Sequence, residues 1–161
     1  MLTATPVAGS VFTGWLGACT GPGACTVQIN GAATVSATFA LSSIGTRILD
    51  IDANTAYLPE SDGILILRYI LGMRGTALTG GVVGAGAGRT SDPQMSAYLL
   101  DILPLLDVDG NGKVDALTDG VMIMRKLLGQ TGAAITANAL GTGATRNTSD
   151  IEAYIQTLKP P

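Results

Sequence analysis

The stretch that decides the fold of this chain is DVDGNGKVDALTD at residues 107–119, in which Asp and Asn alternate with other residues. A related stretch, DIDANTAYLPESD at residues 50–62, lies 57 positions earlier. We call these the second and the first acidic loop. Asp, Asn and Gly often mark ordinary solvated turns, but two such loops in register, each followed by an apolar segment, favour a specific binding role.

The two acidic loops belong to a longer internal duplication. Each copy has the same order: acidic loop, apolar segment, glycine-rich connection, second helical segment and proline. A duplication of this extent predicts two equivalent repeats, 47–104 and 105–161, within one domain at 42–161. Identical residues 57 positions apart include Asp50/Asp107, Asp52/Asp109, Asn54/Asn111, Asp62/Asp119, Gly63/Gly120, Arg68/Arg125, Gly72/Gly129, Gly75/Gly132, Ala77/Ala134 and Arg89/Arg146.

Both repeats are predicted to be mainly helical. The segments 64–71 and 121–128 are apolar on nearly every face, so they should form buried helices. Gly72 and Gly129 follow these segments, and glycine is the residue that most often ends a helix. Two loop-helix units of this kind imply a domain with pseudo-twofold character.

The second helix of each repeat has its own start signals. In the first repeat, Asp92 is predicted to be the N-cap, and Pro93 follows it at the first helical position, which proline favours. In the second repeat, Ser149 and Glu152 have the spacing of a capping box. The glycine-rich connections between the helices receive no secondary-structure prediction, and they span residues 75–90 and 132–147.

Oxygen-bearing side chains at alternate positions suit a hard cation. Calcium takes six to eight oxygen ligands at about 2.3–2.6 Å, whereas magnesium keeps several waters and demands a stricter octahedron. The sequence therefore predicts two calcium sites. The candidate ligands of the first are Asp50, Asp52, Asn54, the Ala56 carbonyl and Asp62, and those of the second are Asp107, Asp109, Asn111, the Lys113 carbonyl, Asp115 and Asp119.

The two acidic loops differ at two positions that affect binding strength. At position six the second loop has Gly112, where the loop must turn sharply, and the first loop has Thr55. At position nine the second loop has Asp115, which would bind directly or through water, and the first has Leu58. We therefore expect the second site to bind calcium more strongly.

Residues 1–41 differ in composition from the rest of the chain. No Asp, Glu, Lys or Arg precedes Arg47. The runs VFTGW, CTVQI and TVSATF alternate apolar with polar or small residues, and Gly-Pro-Gly and Asn-Gly turn signals separate them. This pattern predicts about three short strands, so the whole chain is expected to be α+β.

Cys19 and Cys25 flank the first of these turns. A bond between them would close a tight loop and restrict the unfolded chain by about 2 kcal/mol. Two free thiols in a cytosolic protein are the alternative interpretation. Two Cys flanking one turn favour a disulfide, and with it an oxidising, extracellular compartment.

The uncharged segment resembles the second half of a bacterial surface repeat related to the internalin B-repeat. The matching features are the Gly14-Trp15 pair, the turn bracketed by Cys19 and Cys25, and the closing V-x-A-T-F strand at 35–39. The resemblance covers residues 2–40 and lacks the opening strands of such a repeat. It implies a secreted or cell-surface protein.

The duplicated part resembles a dockerin, in which paired D-x-D-x-N-G-x-x-D loops each precede an apolar helix. Two departures are clear: Asp62 and Asp119 stand at position 13 rather than 12, and each repeat has an extra helix. In dockerins, cohesin recognition depends on hydroxyl residues at loop positions 10 and 11. Those positions hold Pro59, Glu60, Ala116 and Leu117. The resemblance therefore implies calcium binding but not cohesin binding.

The composition excludes several function classes. A net charge of −3 with nine Lys plus Arg argues against a nucleic-acid partner. The absence of His removes histidine bases, Ser-His and Cys-His nucleophile pairs, and zinc sites that need imidazole. The apolar runs are too short for a membrane span. We do not expect an enzyme.

Three functions fit these features. The first, which we expect, is an extracellular calcium-binding, non-catalytic structural or interaction module of a secreted or cell-surface bacterial protein. The second is a self-assembling extracellular filament subunit whose β segment is completed by a strand from another chain. The third is an attachment module at the C-terminal end of a secreted hydrolase. A protein partner or self-association would mediate the first two.

Overall fold

The computed structural model describes residues 1–6, 10–28, 30–41 and 47–160. The chain divides into two compact units, Met1–Ile44 and Gly45–Pro161, which we call the β unit and the helical unit. The first contains a small antiparallel sheet and a disulfide, and the second is mainly helical. This composition agrees with the expected α+β class.

Among its described residues, the β unit contains two strands, β1 (Ser10–Gly17) and β2 (Val35–Leu41), which pair antiparallel with a bulge between Phe12 and Gly14. The prediction of a third strand over CTVQI is wrong for its described residues. Cys25 forms only an isolated bridge with Leu2, and Ile29 lies outside the described residues. Cys25, the first residue of this run, is bonded to Cys19 and ends the tight loop that the disulfide closes.

Trp15 is the centre of the β unit, with only 7% of its surface exposed. Its ring Nε1 donates to the Gly23 carbonyl at 3.0 Å, and its backbone N–H donates to Gly21 at 2.9 Å. Both acceptors belong to the loop that the disulfide closes. The Phe12 ring lies 5.0 Å from the Trp15 ring and 5.8 Å from the Phe39 ring. The disulfide-closed loop therefore covers the tryptophan.

Reduction of the disulfide is expected to make the loop over Trp15 less ordered, because the reduced loop would regain about 2 kcal/mol of chain entropy when it detaches. Water would then reach Trp15, the single Trp of the chain, and shift its fluorescence emission to longer wavelength. The control is a chain with Cys19→Ser and Cys25→Ser, whose emission should not respond to reductant. An unshifted emission after complete reduction, verified by alkylation and intact mass, would contradict this account.

The helical unit contains two copies of one arrangement. Each copy runs from acidic loop through a π-helical turn, a two-turn helix, a one-turn helix and a longer helix. Among the described residues, no helix is both long and apolar enough to cross a membrane. The elements are a π turn (Pro59–Gly63), α1 (Ile64–Ile70), α2 (Thr76–Thr79), α3 (Asp92–Ile102), a 3-10 turn (Leu103–Leu106), a π turn (Ala116–Gly120), α4 (Val121–Leu127), α5 (Ala133–Thr136) and α6 (Thr148–Leu158).

The helices α1 and α4 end as predicted, at glycines in the left-handed region. Gly72 has φ of 83° and Gly129 has φ of 81°. After each glycine a backbone N–H reaches back five residues, from Met73 to Arg68 and from Gln130 to Arg125, both at 2.9 Å. This is a Schellman ending, which satisfies carbonyls that the helix leaves unpaired.

The residues that cap the N-termini of α3 and α6 are not the predicted ones. Ser91, rather than Asp92, caps α3, and its N–H and hydroxyl both donate to the Gln94 carboxamide oxygen. Asn147 caps α6 through its side-chain oxygen, which accepts from Asp150 N at 3.0 Å. The predicted capping box of Ser149 and Glu152 is wrong, because the carboxylate of Glu152 binds elsewhere.

Glu152 instead joins two elements of the second repeat. Its carboxylate accepts from Lys126 Nζ and from the backbone N–H of Gly132, both at 2.8 Å. Lys126 is at the end of α4 and Gly132 precedes α5. The pKa of Glu152 is lowered by these two hydrogen bonds, the one from Lys126 being the stronger.

The core of the helical unit repeats position by position. Equivalent residues of the two repeats are buried in pairs, at a separation of 57 residues in the loops and first helices and 56 in the last helices. Burial of this aliphatic surface is the main stabilising term of a small helical domain. The pairs are Leu49/Leu106, Ile51/Val108, Leu65/Met122, Ile66/Ile123, Leu78/Ile135, Met95/Ile151, Leu99/Ile155 and Ile102/Leu158.

Candidate metal centres

Each acidic loop ends in a π-helical turn, which leads directly into the helix that follows. The backbone N–H of Gly63 donates to the Leu58 carbonyl at 3.3 Å, and that of Gly120 donates to Asp115 at 3.1 Å. Both bonds span five residues rather than four. Each wider turn contains the closing aspartate at position 13 of its loop, and such turns are frequent at functional sites.

Each loop brings three carboxylates together. In the first loop, carboxylate oxygens of Asp50, Asp52 and Asp62 all lie within 4.8 Å of one another. The same holds in the second loop for its three equivalent residues, Asp107, Asp109 and Asp119. All are buried except Asp107, which is half-buried. Three oxygens at this spacing could hold a metal ion, and hard carboxylate oxygens match the preference of a cation such as calcium.

The closing carboxylate of the first loop is fixed by backbone N–H groups. Asp62 Oδ1 accepts from Ile51 N at 2.6 Å, and Asp62 Oδ2 accepts from Leu58 N at 2.8 Å. These donors come from both ends of the loop. The carboxylate therefore ties position 2 of the loop to position 9.

The second loop repeats this arrangement. Asp119 Oδ1 accepts from Val108 N at 2.8 Å, and Asp119 Oδ2 accepts from Asp115 N at 3.0 Å. The Thr118 hydroxyl also donates to Oδ2, at 3.0 Å. Asp115, predicted as a side-chain ligand, contributes its backbone N–H here, and its carboxylate is not part of the triad.

The first aspartate and the asparagine of each loop organise its turn. Asp50 accepts from Asn54 N at 3.0 Å and from Thr55 N at 2.9 Å. Asn54 Oδ1 in turn accepts from Ala56 N at 2.8 Å. The backbone at position 7, which was predicted to supply a carbonyl ligand, is thus held beside the asparagine at position 5.

The second loop makes the same turn bonds. Asp107 accepts from Asn111 N at 3.1 Å and from Gly112 N at 2.9 Å. Asn111 Oδ1 accepts from Lys113 N at 2.8 Å. The duplicated sequence therefore produces a duplicated hydrogen-bond pattern.

Burial of the carboxylates carries an electrostatic cost. Burial raises the pKa of Asp62 from 3.8 to about 6, against the lowering effect of its backbone hydrogen bonds. Burial likewise raises the pKa of Asp119. A raised pKa means that the folded chain holds the proton more tightly than the unfolded chain. The contribution of Asp62 to stability therefore falls as the pH rises through about 6, unless a cation replaces the proton.

The glycine-rich connections hold two site residues that the sequence analysis missed. Gly84 N donates to Asp52 Oδ2 and Gly141 N donates to Asp109 Oδ2, each at 2.7 Å. A Cβ at either glycine would lie 2.7 Å from the same carboxylate oxygen, so only glycine can approach. The signal was present in the sequence, since the two glycines are 57 residues apart.

The two loops use the same backbone conformation with different residues. Positions 4 and 6 are left-handed in both. In the first loop these are Ala53, with φ of 60°, and Thr55, with φ of 69°; in the second they are Gly110 and Gly112, at 75° and 82°. A left-handed conformation costs an ordinary residue about 1–2 kcal/mol, and a β-branched residue such as threonine adopts it least readily. The first loop therefore folds against greater backbone strain.

Replacement of Thr55 by glycine is expected to stabilise the helical unit by up to about 1 kcal/mol, because relief of strain exceeds the added flexibility of the unfolded chain. Thr55 is exposed, so little packing is lost. Urea denaturation monitored by circular dichroism measures the change.

Thr90→Gly is the matched control, since Thr90 is also exposed but lies outside the left-handed region. This variant should lose stability. Equal losses in Thr55→Gly and Thr90→Gly would disprove the strain at the first loop.

Among known protein families, a match is found for the β unit alone. Residues 1–43 match the family described as the divergent InlB B-repeat domain. This match confirms the resemblance drawn from the Gly14-Trp15 pair and the closing strand. It ends before the acidic loops, so the dockerin resemblance of the helical unit stays a prediction. No curated protein and no solved structure matches the chain.

Proposed function

We propose that the chain is an extracellular, non-catalytic module in which a dockerin-like helical unit binds two calcium ions and serves attachment or interaction. The observation that carries the proposal is the pair of buried aspartate triads. Each triad stands in an equivalent loop and is held by backbone N–H groups, which orient the carboxylates without neutralising them.

Within the described ranges, neither triad forms an ion pair with a positively charged side chain. The ion pair found there joins Lys126 to Glu152. Buried charges are stable only when they are paired or coordinate a metal. A cation from solution would supply the missing charge in each loop.

The donor chemistry favours calcium among the cations. Each loop offers three carboxylates, the asparagine carboxamide and the backbone at position 7, all of which are oxygen donors. The turn bonds wrap these groups around one region, as a flexible shell of six to eight oxygens requires. Magnesium binds through fewer protein ligands and more water, so it would use this donor set poorly.

Two features support an extracellular setting. The Cys19–Cys25 disulfide is typical of oxidising compartments. The β unit matches a family of surface repeats.

Calcium is expected to raise the melting temperature of the full chain relative to the same chain in chelator. At 100 times the dissociation constant, each site should add about 2.7 kcal/mol to the free energy of unfolding. Asp107→Ala should lower the melting temperature in calcium more than Asp50→Ala, because the second loop folds with less strain. Thermal melts followed by circular dichroism give the comparison.

The control is Asp101→Ala, which removes an exposed carboxylate on α3 that contacts neither triad. It should melt like the unmutated chain in both buffers. An identical melting temperature in calcium and in chelator would rule out the calcium function.

A second candidate function, assembly through strand exchange, is favoured by the small size of the sheet. The sheet has two strands among the described residues, and an isolated pair is marginally stable in water. Phe39 is 46% exposed and Leu16 is 55% exposed on these strands. A strand from a neighbouring chain would cover such groups and pair an open edge.

Head-to-tail strand exchange that does not close into a ring would produce fibres rather than dimers. Light scattering after size exclusion should then give a mass that grows with concentration, and negative-stain microscopy should reveal filaments in calcium. The variant Phe39→Lys should reduce assembly, because a charge on the sheet discourages pairing. A strictly monomeric chain at high concentration would exclude this candidate.

A further inference from the structure

One arginine holds the backbone of the first acidic loop by its carbonyl groups and not by its carboxylates. Arg89 donates from Nε to the Ile51 carbonyl at 2.6 Å and from Nη2 to the Asp50 carbonyl at 2.5 Å. Its main-chain N–H donates to the Asp52 carbonyl at 2.8 Å. A single residue therefore fixes positions 1, 2 and 3 of the loop, two of which carry triad carboxylates.

A tyrosine of α3 completes this support. The Arg89 guanidinium lies over the Tyr98 ring, 3.7 Å from its centroid. The Tyr98 hydroxyl donates to the Ile48 carbonyl, two residues before the loop, at 2.9 Å. The ring holds the guanidinium in place, and the hydroxyl holds the chain that enters the loop.

The second repeat has an equivalent arginine and tyrosine beside its acidic loop. Arg146 donates from Nη1 to the Asp107 carbonyl at 2.7 Å, and its N–H donates to the Asp109 carbonyl at 3.0 Å. Its guanidinium lies 4.2 Å from the Tyr154 ring centroid, and the Tyr154 hydroxyl donates to Leu105 at 3.1 Å. Both copies of the duplication therefore contain the arginine–tyrosine arrangement beside their acidic loop.

We propose that Arg89 and Arg146, each supported by its tyrosine, are positioning residues that preform the acidic loops and so set their affinity for the cation. The inference rests on the proposed calcium function. The guanidinium groups bind carbonyls and leave the carboxylates to the ion. Groups that orient metal ligands commonly change affinity 10- to 100-fold when they are removed.

The direction in which calcium affinity changes when the arginine is removed distinguishes a positioning role from a purely electrostatic one. A positive charge near a cation site repels the cation, so its removal would tighten calcium binding if charge alone acted. Loss of a positioning group has the opposite effect, because the loop must then be ordered at the moment of binding.

The test titrates calcium chloride into the full chain by isothermal calorimetry, in an Asp52→Ala background that leaves the second site to be measured alone. Arg146→Met is expected to raise the dissociation constant about tenfold. Arg125→Met is the matched control, since Arg125 also donates to two backbone carbonyls, those of Ile135 and Ala137, away from the loops. It should leave the constant unchanged.

An unchanged or lower dissociation constant in Arg146→Met would overturn the inference, as would an equal rise in Arg125→Met. If Arg146→Met does not fold by circular dichroism, Tyr154→Phe decides the question: a severalfold rise supports the inference and an unchanged constant overturns it. Failure of the unmutated chain to bind calcium would instead contradict the proposed function itself.

Discussion

Three carboxylates buried within 4.8 Å of one another are the constraint on which the helical unit depends. Their mutual repulsion is strong where water is excluded, so each loop must surround them with N–H donors. The closing carboxylates receive such donors from both ends of their loops. The π turn, the connection glycine and the arginine of each repeat all serve to bring these groups to one place.

The two loops also depend on each other through packing. Gly63 and Gly120 directly follow the closing aspartates. A Cβ at Gly63 would lie 2.7 Å from Met124 Cε on α4, and a Cβ at Gly120 would lie 2.6 Å from Leu67 Cδ2 on α1. Each loop therefore ends against the first helix of the other repeat. Close packing of this kind transmits displacement, so the geometry of one loop is tied to that of its partner.

The parts of the fold with local causes were predictable from the sequence. Apolar runs followed by glycine located α1 and α4, because a helix that must stop takes glycine in the left-handed region. The cap of α6 was misassigned, since Glu152 finds partners only in the tertiary structure. Gly84 was missed as well, because its 57-residue repeat does not reveal what it contacts. Its contact with Asp52 spans 32 residues, and no local pattern distinguishes it from its neighbouring glycines.

The two loops have the same candidate ligand residues but different residues at their left-handed backbone positions. Positions 1, 3, 5 and 13 hold the same residue types in both loops, whereas the left-handed positions hold Ala53 and Thr55 in one and glycines in the other. Strain that is relieved in the unfolded chain but not in the folded one weakens a loop without changing its ligands. Under the proposed function, calcium between the two dissociation constants would fill the second loop first. Because each loop ends against the helix of the other repeat, that first ion would also steady the loop that is still empty.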